Sequence, residues 1–179
     1  MYYITNYPSP VGLLTLAAGE DSLIGLWIEG QKYHGKTLPA AVTEKNDLPI
    51  FDTVKCWLDK YFAGEKPDIS DLSLAPIGSD FQQSVWRILF QIPCGKTVTY
   101  GDIAKKIAEE SGKKSMSSQA VGGAVGHNPI SIIIPCHRVI GSNGSLTGYA
   151  GGIAVKVKLL KLENAYMPHM IVPTKGSAV

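Results

Sequence analysis

Cysteine is scarce in this chain of 179 residues, and its three cysteines are far apart. Cys56, Cys94 and Cys136 are odd in number and form no Cys-x-x-Cys pair. We therefore expect no disulfide framework and a reducing, cytoplasmic setting. Soft metal ligands are also few. The first half offers only Cys56 and His34, so no zinc site is expected there.

The sequence also lacks a long hydrophobic run. No apolar segment approaches the roughly 20 residues that a membrane-spanning helix needs. The first residues contain no basic region followed by an apolar stretch, which a secretory signal would have. We therefore expect no association with a membrane. The hydrophobic content of 45% allows one compact domain or two small ones that share an interface.

Acidic residues are scarce in the second part of the chain. Residues 81–179 contain 4 Asp and Glu against 11 Lys and Arg, a net charge of +7. Residues 1–80 contain 11 Asp and Glu against 6 Lys, a net charge of −5. This asymmetry predicts that the second half meets a polyanion and that the first half does not. A basic face that is merely solvated is the alternative.

The first half of the sequence predicts a small antiparallel sheet followed by a helix. Apolar residues at helical spacing between Val54 and Tyr61 indicate the helix. The connector that follows offers a short strand at residues 69–74. The sheet is predicted from three β-like runs, separated by turn sequences, at residues 1–7, 13–18 and 22–29.

The second half predicts a helix-turn-helix. Ser79, with Gln82 three residues later, is a capping-box sequence that begins one helix. Thr99 is the expected N-cap of the next helix. A basic turn at residues 111–115 separates that helix from a glycine-rich helix at residues 116–126. Two helices joined by a short turn with glycine are the pattern of a helix-turn-helix.

An apolar run at residues 130–134 predicts a buried strand, and it leads into Pro135-Cys136-His137-Arg138. Neighbouring side chains of a strand point to opposite faces. Cys136 and His137 can therefore cooperate only if Pro135, which fixes φ and lacks an N–H, ends the strand in a turn. A base would then take the thiol proton, and cationic neighbours would favour the thiolate nucleophile. The alternative is that Cys136 is a small buried hydrophobe.

Residues 135–139, Pro-Cys-His-Arg-Val, resemble the active-site pentad of the O6-alkylguanine-DNA alkyltransferases, the methylated-DNA–protein-cysteine methyltransferases. Further elements match that family in the family's order, and the match covers about residues 79–165. These elements are residues 92–100, 120–124, 128–129, 148–152 and 159–163.

The resemblance implies two domains and a tail. Residues 1–76 would form an N-terminal α/β domain with a small antiparallel sheet and a helix. Residues 77–165 would form a mostly helical, winged-helix-like helix-turn-helix domain that binds DNA and carries the active-site cysteine. Residues 166–179 would be a C-terminal tail.

The activity implied is DNA repair by direct, irreversible transfer of the alkyl group of O6-alkylguanine to Cys136, with O4-alkylthymine as an open second substrate. Because the product is a thioether, each molecule would act once, without metal or cofactor. The expected partner is double-stranded DNA that contains alkylated guanine, bound by a monomer. A lesion-binding protein without transfer and a cysteine hydrolase are the alternatives. Retention of Cys136 argues against the first, and the basic half argues against the second.

Five residues carry the chemistry in the pattern that the resemblance implies. Cys136 is the nucleophile and His137 its base, acting directly or through a water. Glu163 orients the base. Tyr100 donates a hydrogen bond to N3 of the leaving guanine. Asn128 braces the active-site turn against the helix-turn-helix.

The resemblance also implies that the second helix of the helix-turn-helix enters the minor groove, since the target base must leave the stack. Its glycines either pack against another element or admit the DNA backbone. Gln119 stands where many relatives have an arginine that fills the gap left by the flipped base. Arg138 is either a DNA contact or a bridge between structural elements. The residues expected at the DNA are Ser118, Gln119, Ala120, Gly122, Gly123 and Arg138.

A turn-rich loop at residues 142–152 is expected to form a flexible wall for the flipped base. Tyr149 is its stacking side chain, and backbone N–H groups near Ala150 and Gly151 would bind O6. Ala150 replaces a serine of some relatives, so one hydroxyl contact is absent. Pro135 and Val139 complete the predicted pocket.

Overall fold

The computed structural model describes residues 1–174. Within them the chain forms two compact units. The first consists of Met1–Gly78 and Pro129–Ile133, and the second begins at Ser79 and resumes at Ile134. Within this described part, no helix is long and apolar enough to cross a membrane.

The first unit is a four-stranded sheet with one helix. Antiparallel pairing joins β1 to β2 and β2 to β3, so the three predicted runs form adjacent strands. A fourth strand, β4, pairs in parallel with β1, which makes the sheet mixed, in the order β3-β2-β1-β4. The elements are β1 (Tyr3–Ser9), β2 (Gly12–Ala18), β3 (Leu23–Ile28), β4 (Thr43–Glu44) and α1 (Pro49–Phe62).

The prediction of a strand at residues 69–74 is wrong for most of these residues. Ile69–Asp71 is a short 3₁₀ helix, because the Asp68 carboxylate accepts a hydrogen bond from the backbone N–H of Ser70 and caps it. Only Leu74 pairs with the sheet, in a single parallel bridge to Leu23.

Residues 130–134 are buried, as the sequence predicts, but they are not a regular strand. Ile130 forms one parallel bridge with Leu26 of β3. Ile132 has a φ of 72°, so the chain turns there. The domain boundaries predicted from the sequence place residues 129–133 in the second domain, whereas their backbone hydrogen bonds with Leu26 attach them to the first unit.

The second unit contains the predicted helix-turn-helix. The capping box of Ser79 and Gln82 begins α2 (Asp80–Leu89) and is confirmed, as is the cap of α3 (Tyr100–Glu110) by Thr99. The glycine-rich helix α4 spans Ser118–Gly126. The Trp86 indole N–H donates to the Ala124 carbonyl at 2.9 Å and so packs α2 against α4.

A two-stranded parallel pair and a last helix complete this unit. The pair joins β5 (Val98–Thr99) to β6 (Val139–Ile140), and α5 (Ile153–Leu162) follows. The predicted class, an α/β domain followed by a mostly helical DNA-binding domain, is confirmed. Residues 166–174 of the expected tail belong to the second unit, whereas residues 175–179 lie outside the described residues.

Candidate active site

The turn that the sequence required between Pro135 and His137 is present. Cys136–Arg138 forms a short 3₁₀ helix directly after Pro135, and the Arg138 N–H donates to the Pro135 carbonyl at 3.0 Å. Cys136, His137 and Arg138 are all buried. A tight turn brings consecutive side chains into one region, which a straight strand does not allow.

Asn128 connects the end of α4 to this turn. Its side-chain N–H₂ group donates to the Ile134 carbonyl at 2.8 Å and to Sγ of Cys136 at 3.1 Å. Asn128 is 4% exposed. The amide therefore fixes both the backbone before the nucleophile and the sulfur itself.

The Cys136 thiol has opposing influences on its pKa. Burial raises the pKa, while the hydrogen bond from Asn128, the charge of Lys156 and backbone N–H groups lower it, and the net direction is upward. The cation that acts on the sulfur is Lys156 rather than the His137 or Arg138 side chains that the sequence suggested. At rest the nucleophile is a protonated thiol that needs a base.

Lys156 is a functional candidate that sequence reasoning missed. It is fully buried on α5, and its ammonium group donates to the Val139 carbonyl at 2.5 Å and to the Thr147 carbonyl at 3.4 Å. Burial lowers its pKa to about 8, although Cys136 raises it. Helical spacing could have identified Lys156, since it lies three, four and seven residues before Leu159, Leu160 and Glu163 and therefore on the same face of the helix.

His137 has the geometry of a neutral base held by a carboxylate. Its Nε2 donates to Oε1 of Glu163 at 2.7 Å, so Nδ1 carries the free lone pair. Burial lowers the pKa of His137 despite Glu163, which keeps the ring uncharged at neutral pH. Nδ1 is buried without a hydrogen-bond partner among the described residues. That atom is therefore available to take a proton, directly or through a water.

The assignment of Arg138 to a DNA contact is corrected by its burial. Arg138 is 5% exposed and donates to both carboxylate oxygens of Glu163, at 2.8 and 2.9 Å. It also donates to the Ile92 carbonyl at 2.5 Å. Its guanidinium group thus bridges structural elements, which was the alternative to a DNA contact.

Tyr100 reaches the loop that was predicted to form the wall of the pocket. Its hydroxyl donates to the carbonyls of Thr147 and Gly148 at 3.1 and 3.3 Å. Burial, followed by the nearby Cys136, raises its pKa to about 12, so the phenol remains a donor throughout the physiological range. A Cβ at Gly148 would lie 2.6 Å from the Tyr100 oxygen, so a side chain there would displace the phenol.

The predicted pocket residues divide into two groups. Ala150 and Gly151 are partly exposed, whereas Pro135 and Tyr149 are buried and Val139 is fully buried. The Tyr149 ring contacts that of His137 edge-on at 6.4 Å between centroids. Val139 and Tyr149 therefore support the turn from within. Neither Val139 nor Tyr149 presents an exposed surface against which a base could stack.

The α4 helix presents the residues that were expected at the DNA. Ser118, Gln119 and Ala120 are exposed, and Gly122 and Gly123 are partly exposed. A Cβ at Gly122 would meet the Tyr100 ring at 3.9 Å, whereas a Cβ at Gly123 would meet nothing within 4 Å. One glycine thus faces a neighbouring element, and the other leaves the helix backbone open.

No cluster of His, Cys, Asp or Glu within residues 1–174 could hold a metal ion. Hydrogen bonds join His137 and Arg138 to Glu163, and the Cys136 thiol accepts one from Asn128. This arrangement is suited to proton movement and to nucleophilic attack by sulfur.

Two family models match this chain. The DNA binding domain of 6-O-methylguanine DNA methyltransferase matches residues 80–165, and the ribonuclease-like domain of the same protein matches residues 1–76. The chain is 42% identical over 162 residues to the methylated-DNA–protein-cysteine methyltransferase of Haemophilus influenzae, which covers 90% of this chain and 86% of that protein. The protein of the same name from Methanosarcina acetivorans is 45% identical and covers 92% of this chain and 99% of its own.

The fold is also similar to a solved structure described as Mycobacterium tuberculosis OGT in complex with DNA. The two share 43% sequence identity and a TM-score of 0.77, over 92% of each chain. Together with the two family models, these similarities show that the chain belongs to the 6-O-methylguanine DNA methyltransferase family.

Proposed function

We propose that this protein repairs DNA by moving the alkyl group of O6-alkylguanine onto Sγ of Cys136. The observation that carries the proposal is the buried chain of hydrogen bonds from Glu163 to His137, beside a thiol held by Asn128. Its partner is double-stranded DNA with an alkylated guanine, and it acts as a monomer in the cytoplasm.

The reaction begins with the Cys136 proton. Nδ1 of His137 accepts that proton, directly or through a water, and Glu163 stabilises the imidazolium that results. The rise in positive charge beside Glu163 is favourable because hydrogen bonds from His137 and Arg138 hold the carboxylate ionised. Burial alone would raise the pKa of Glu163, but those partners keep it well below its usual range.

The thiolate then displaces guanine in line. A sulfur–carbon bond forms as the bond from the alkyl carbon to O6 breaks, and guanine leaves with the electron pair. The charge of Lys156 stabilises the sulfur anion before attack. Tyr100 is the proposed donor to N3 of the leaving base, and for that its hydroxyl must exchange the loop carbonyls for the purine.

The product limits the protein to one reaction. An S-alkylcysteine is a thioether, and none of the groups at this site offers a way to hydrolyse it. We therefore propose a stoichiometric transfer of one alkyl group per chain, without metal or cofactor.

The test is mass spectrometry after incubation with a duplex that contains O6-methylguanine. The expected result is one methyl group per chain, located on Cys136, and none on the Cys136→Ser variant. Cys56 and Cys94 serve as internal controls because both thiols remain in that variant. Sustained turnover, or methyl transfer by the variant, would contradict the assignment. A wild-type protein that binds the lesion yet gains no methyl would instead be a lesion-binding protein.

A further inference from the structure

The chain beyond α5 returns to the active-site loop. We call residues 166–171 the strap. Its end pairs in parallel with the loop: the Ile171 N–H donates to the Gly144 carbonyl at 3.0 Å, and the Leu146 N–H donates to the Ile171 carbonyl at 2.9 Å. The match to the DNA binding domain family ends at residue 165, so the strap lies outside the matched part of the sequence.

The strap is also anchored by apolar packing. Met170 is 7% exposed and shares a buried cluster with Leu146, Leu160 and two further residues, Ile140 and Ala165. The Ile171 side chain is 49% exposed, so this residue acts through its backbone. Where the strap crosses the loop, a Cβ at Gly144 would lie 3.2 Å from the His169 carbonyl oxygen. Backbone and core thus fix the strap and loop together.

The other end of the same loop contacts two groups of the reaction site. Thr147 and Gly148 accept the hydrogen bond of the Tyr100 hydroxyl, and Thr147 also accepts from Lys156. The strap therefore holds Gly144 and Leu146, while the next two residues hold the proposed donor to the leaving guanine and the cation beside the thiol. A shift of the loop at one end moves the acceptors at the other.

We propose that the strap is a positioning element for alkyl transfer. Through the loop at residues 144–148 it sets the places of Tyr100 and Lys156 relative to Cys136. The inference rests on the proposed transfer to Cys136 and adds Met170 and the backbone of Ile171 to the residues on which its rate depends. A displacement of about 1 Å at a reacting group is enough to lower a rate substantially.

The test compares variants of the full chain in single-turnover kinetics. Ile171→Pro removes the N–H that Gly144 accepts, and Ile171→Thr is the matched control that keeps it. We expect Ile171→Pro to lower the maximal rate of transfer from an O6-methylguanine duplex about tenfold. The DNA concentration at half the maximal rate should stay unchanged. Transfer from a free O6-alkylguanine base should fall by the same factor, because that reaction needs no DNA contact.

Met170 provides a second, independent pair of variants. Met170→Ala should lower the maximal rate in the same way, and Met170→Leu, which retains the apolar volume, should restore it. This pair decides the question if the proline variant does not fold. Hydrogen exchange of the backbone at residues 144–148 should be faster in each slow variant.

The possible failures are distinguishable. If the wild-type protein transfers no alkyl group, the proposed function is wrong. If it transfers normally and both Ile171→Pro and Met170→Ala keep its maximal rate, the strap does not position the site. An increase in the half-saturating DNA concentration at constant maximal rate would also overturn the inference, because the strap would then contribute to DNA binding.

Discussion

Glu163 has two buried partners, so its role extends beyond the orientation of His137. One carboxylate oxygen accepts from the imidazole and from Arg138, and the other also accepts from Arg138. The residue is 3% exposed. A buried cation without its carboxylate is strongly destabilising, so catalysis and folding depend on the same side chain.

We predict that Glu163→Gln lowers the free energy of unfolding by roughly 3 kcal/mol, because Arg138 is left buried without a counter-charge. His137→Gln should slow alkyl transfer at a smaller cost in stability. Denaturant unfolding of both variants, beside their transfer rates and DNA affinities, measures the difference. Equal losses of stability in the two variants would contradict the proposed role of Arg138.

The same carboxylate gives the wild-type protein a predictable acid sensitivity. The pKa of Glu163 in the folded state lies well below its value of about 4.3 in an unfolded chain. Its contribution to stability is therefore complete above that value and is lost as the pH falls through the lower folded pKa. Glu163→Gln should lack this part of the acid dependence.

Lys156 allows a sharper test of how the thiol is activated. Lys156→Met removes the charge that lowers the pKa of Cys136 and keeps a side chain of similar length. We predict slower alkylation of Cys136 by iodoacetamide at neutral pH, measured across a pH series in a background without Cys56 and Cys94. Lys158→Met, an exposed lysine of the same helix, is the matched control and should leave the rate unchanged.

Among the elements, α4 shows a conflict between helix stability and an open backbone. Glycine in a helix interior costs about 1 kcal/mol relative to alanine. The helix nevertheless contains Gly122, Gly123 and Gly126, and a Cβ at either of the last two would meet nothing within 4 Å. Packing within the protein therefore does not require glycine at those two positions. Close approach of DNA to the helix backbone is a physical reason for it.

We predict that Gly123→Ala changes stability and DNA affinity in opposite directions. The free energy of unfolding should rise by up to about 1 kcal/mol, because helix propensity improves and no clash results. Affinity for duplex DNA should fall, since the new methyl group stands between backbone and groove. Gly19→Ala is the control for a glycine with equal space in a loop. Unchanged affinity would show that α4 does not lie against DNA at this position.

Gln119 is exposed on the first turn of α4. A long side chain inserted into the stack compensates for the extrusion of a base, which costs a few kcal/mol. We predict that Gln119→Ala slows transfer from duplex DNA and spares transfer from a free O6-alkylguanine base. Gln119→Arg should keep or raise the duplex rate, because the groove attracts its charge. Repair of duplexes by Gln119→Ala at the wild-type rate would make Gln119 a mere surface residue.

The helices and their caps were predictable from local sequence, whereas the segment at residues 130–134 was not. Capping boxes and helical spacing are short-range signals, and Ser79 and Thr99 begin their helices as expected. An apolar run shows burial without revealing conformation, and the positive φ of Ile132 leaves no local pattern. Within the site, Cys136 and His137 follow from a motif. The partners of Lys156 depend on tertiary packing that the sequence does not encode locally.

For the whole molecule, the charge asymmetry of the sequence overstates the basic surface of the second half. Of its 11 lysines and arginines, Arg138 and Lys156 are buried in the site, and Lys175 lies outside the described residues. The other eight are exposed or partly exposed. Burial removes Arg138 and Lys156 from the cations that can reach DNA phosphates. The salt dependence of DNA binding should reflect the number of accessible cations rather than the net charge of the sequence.

The first unit includes residues 129–133, which lie in the second half of the sequence. The folding of a fragment that contains only the second half should therefore be affected. Ile130, Ile132 and Ile133 are each at most 1% exposed, and their segment is attached to Leu26 of the first unit. Burying one such side chain contributes about 1.5–3 kcal/mol, so three of them together match the stability of a whole domain. A fragment of residues 79–174 leaves these isoleucines without their partners, and we predict that it associates rather than folding as a monomer. Replacing all three isoleucines by serine should shift the fragment from associated species towards the monomer in size-exclusion chromatography. The same triple substitution should lower the Tm of the full chain. If the unsubstituted fragment is monomeric and the substitution affects neither protein, residues 129–133 contribute nothing to the first unit.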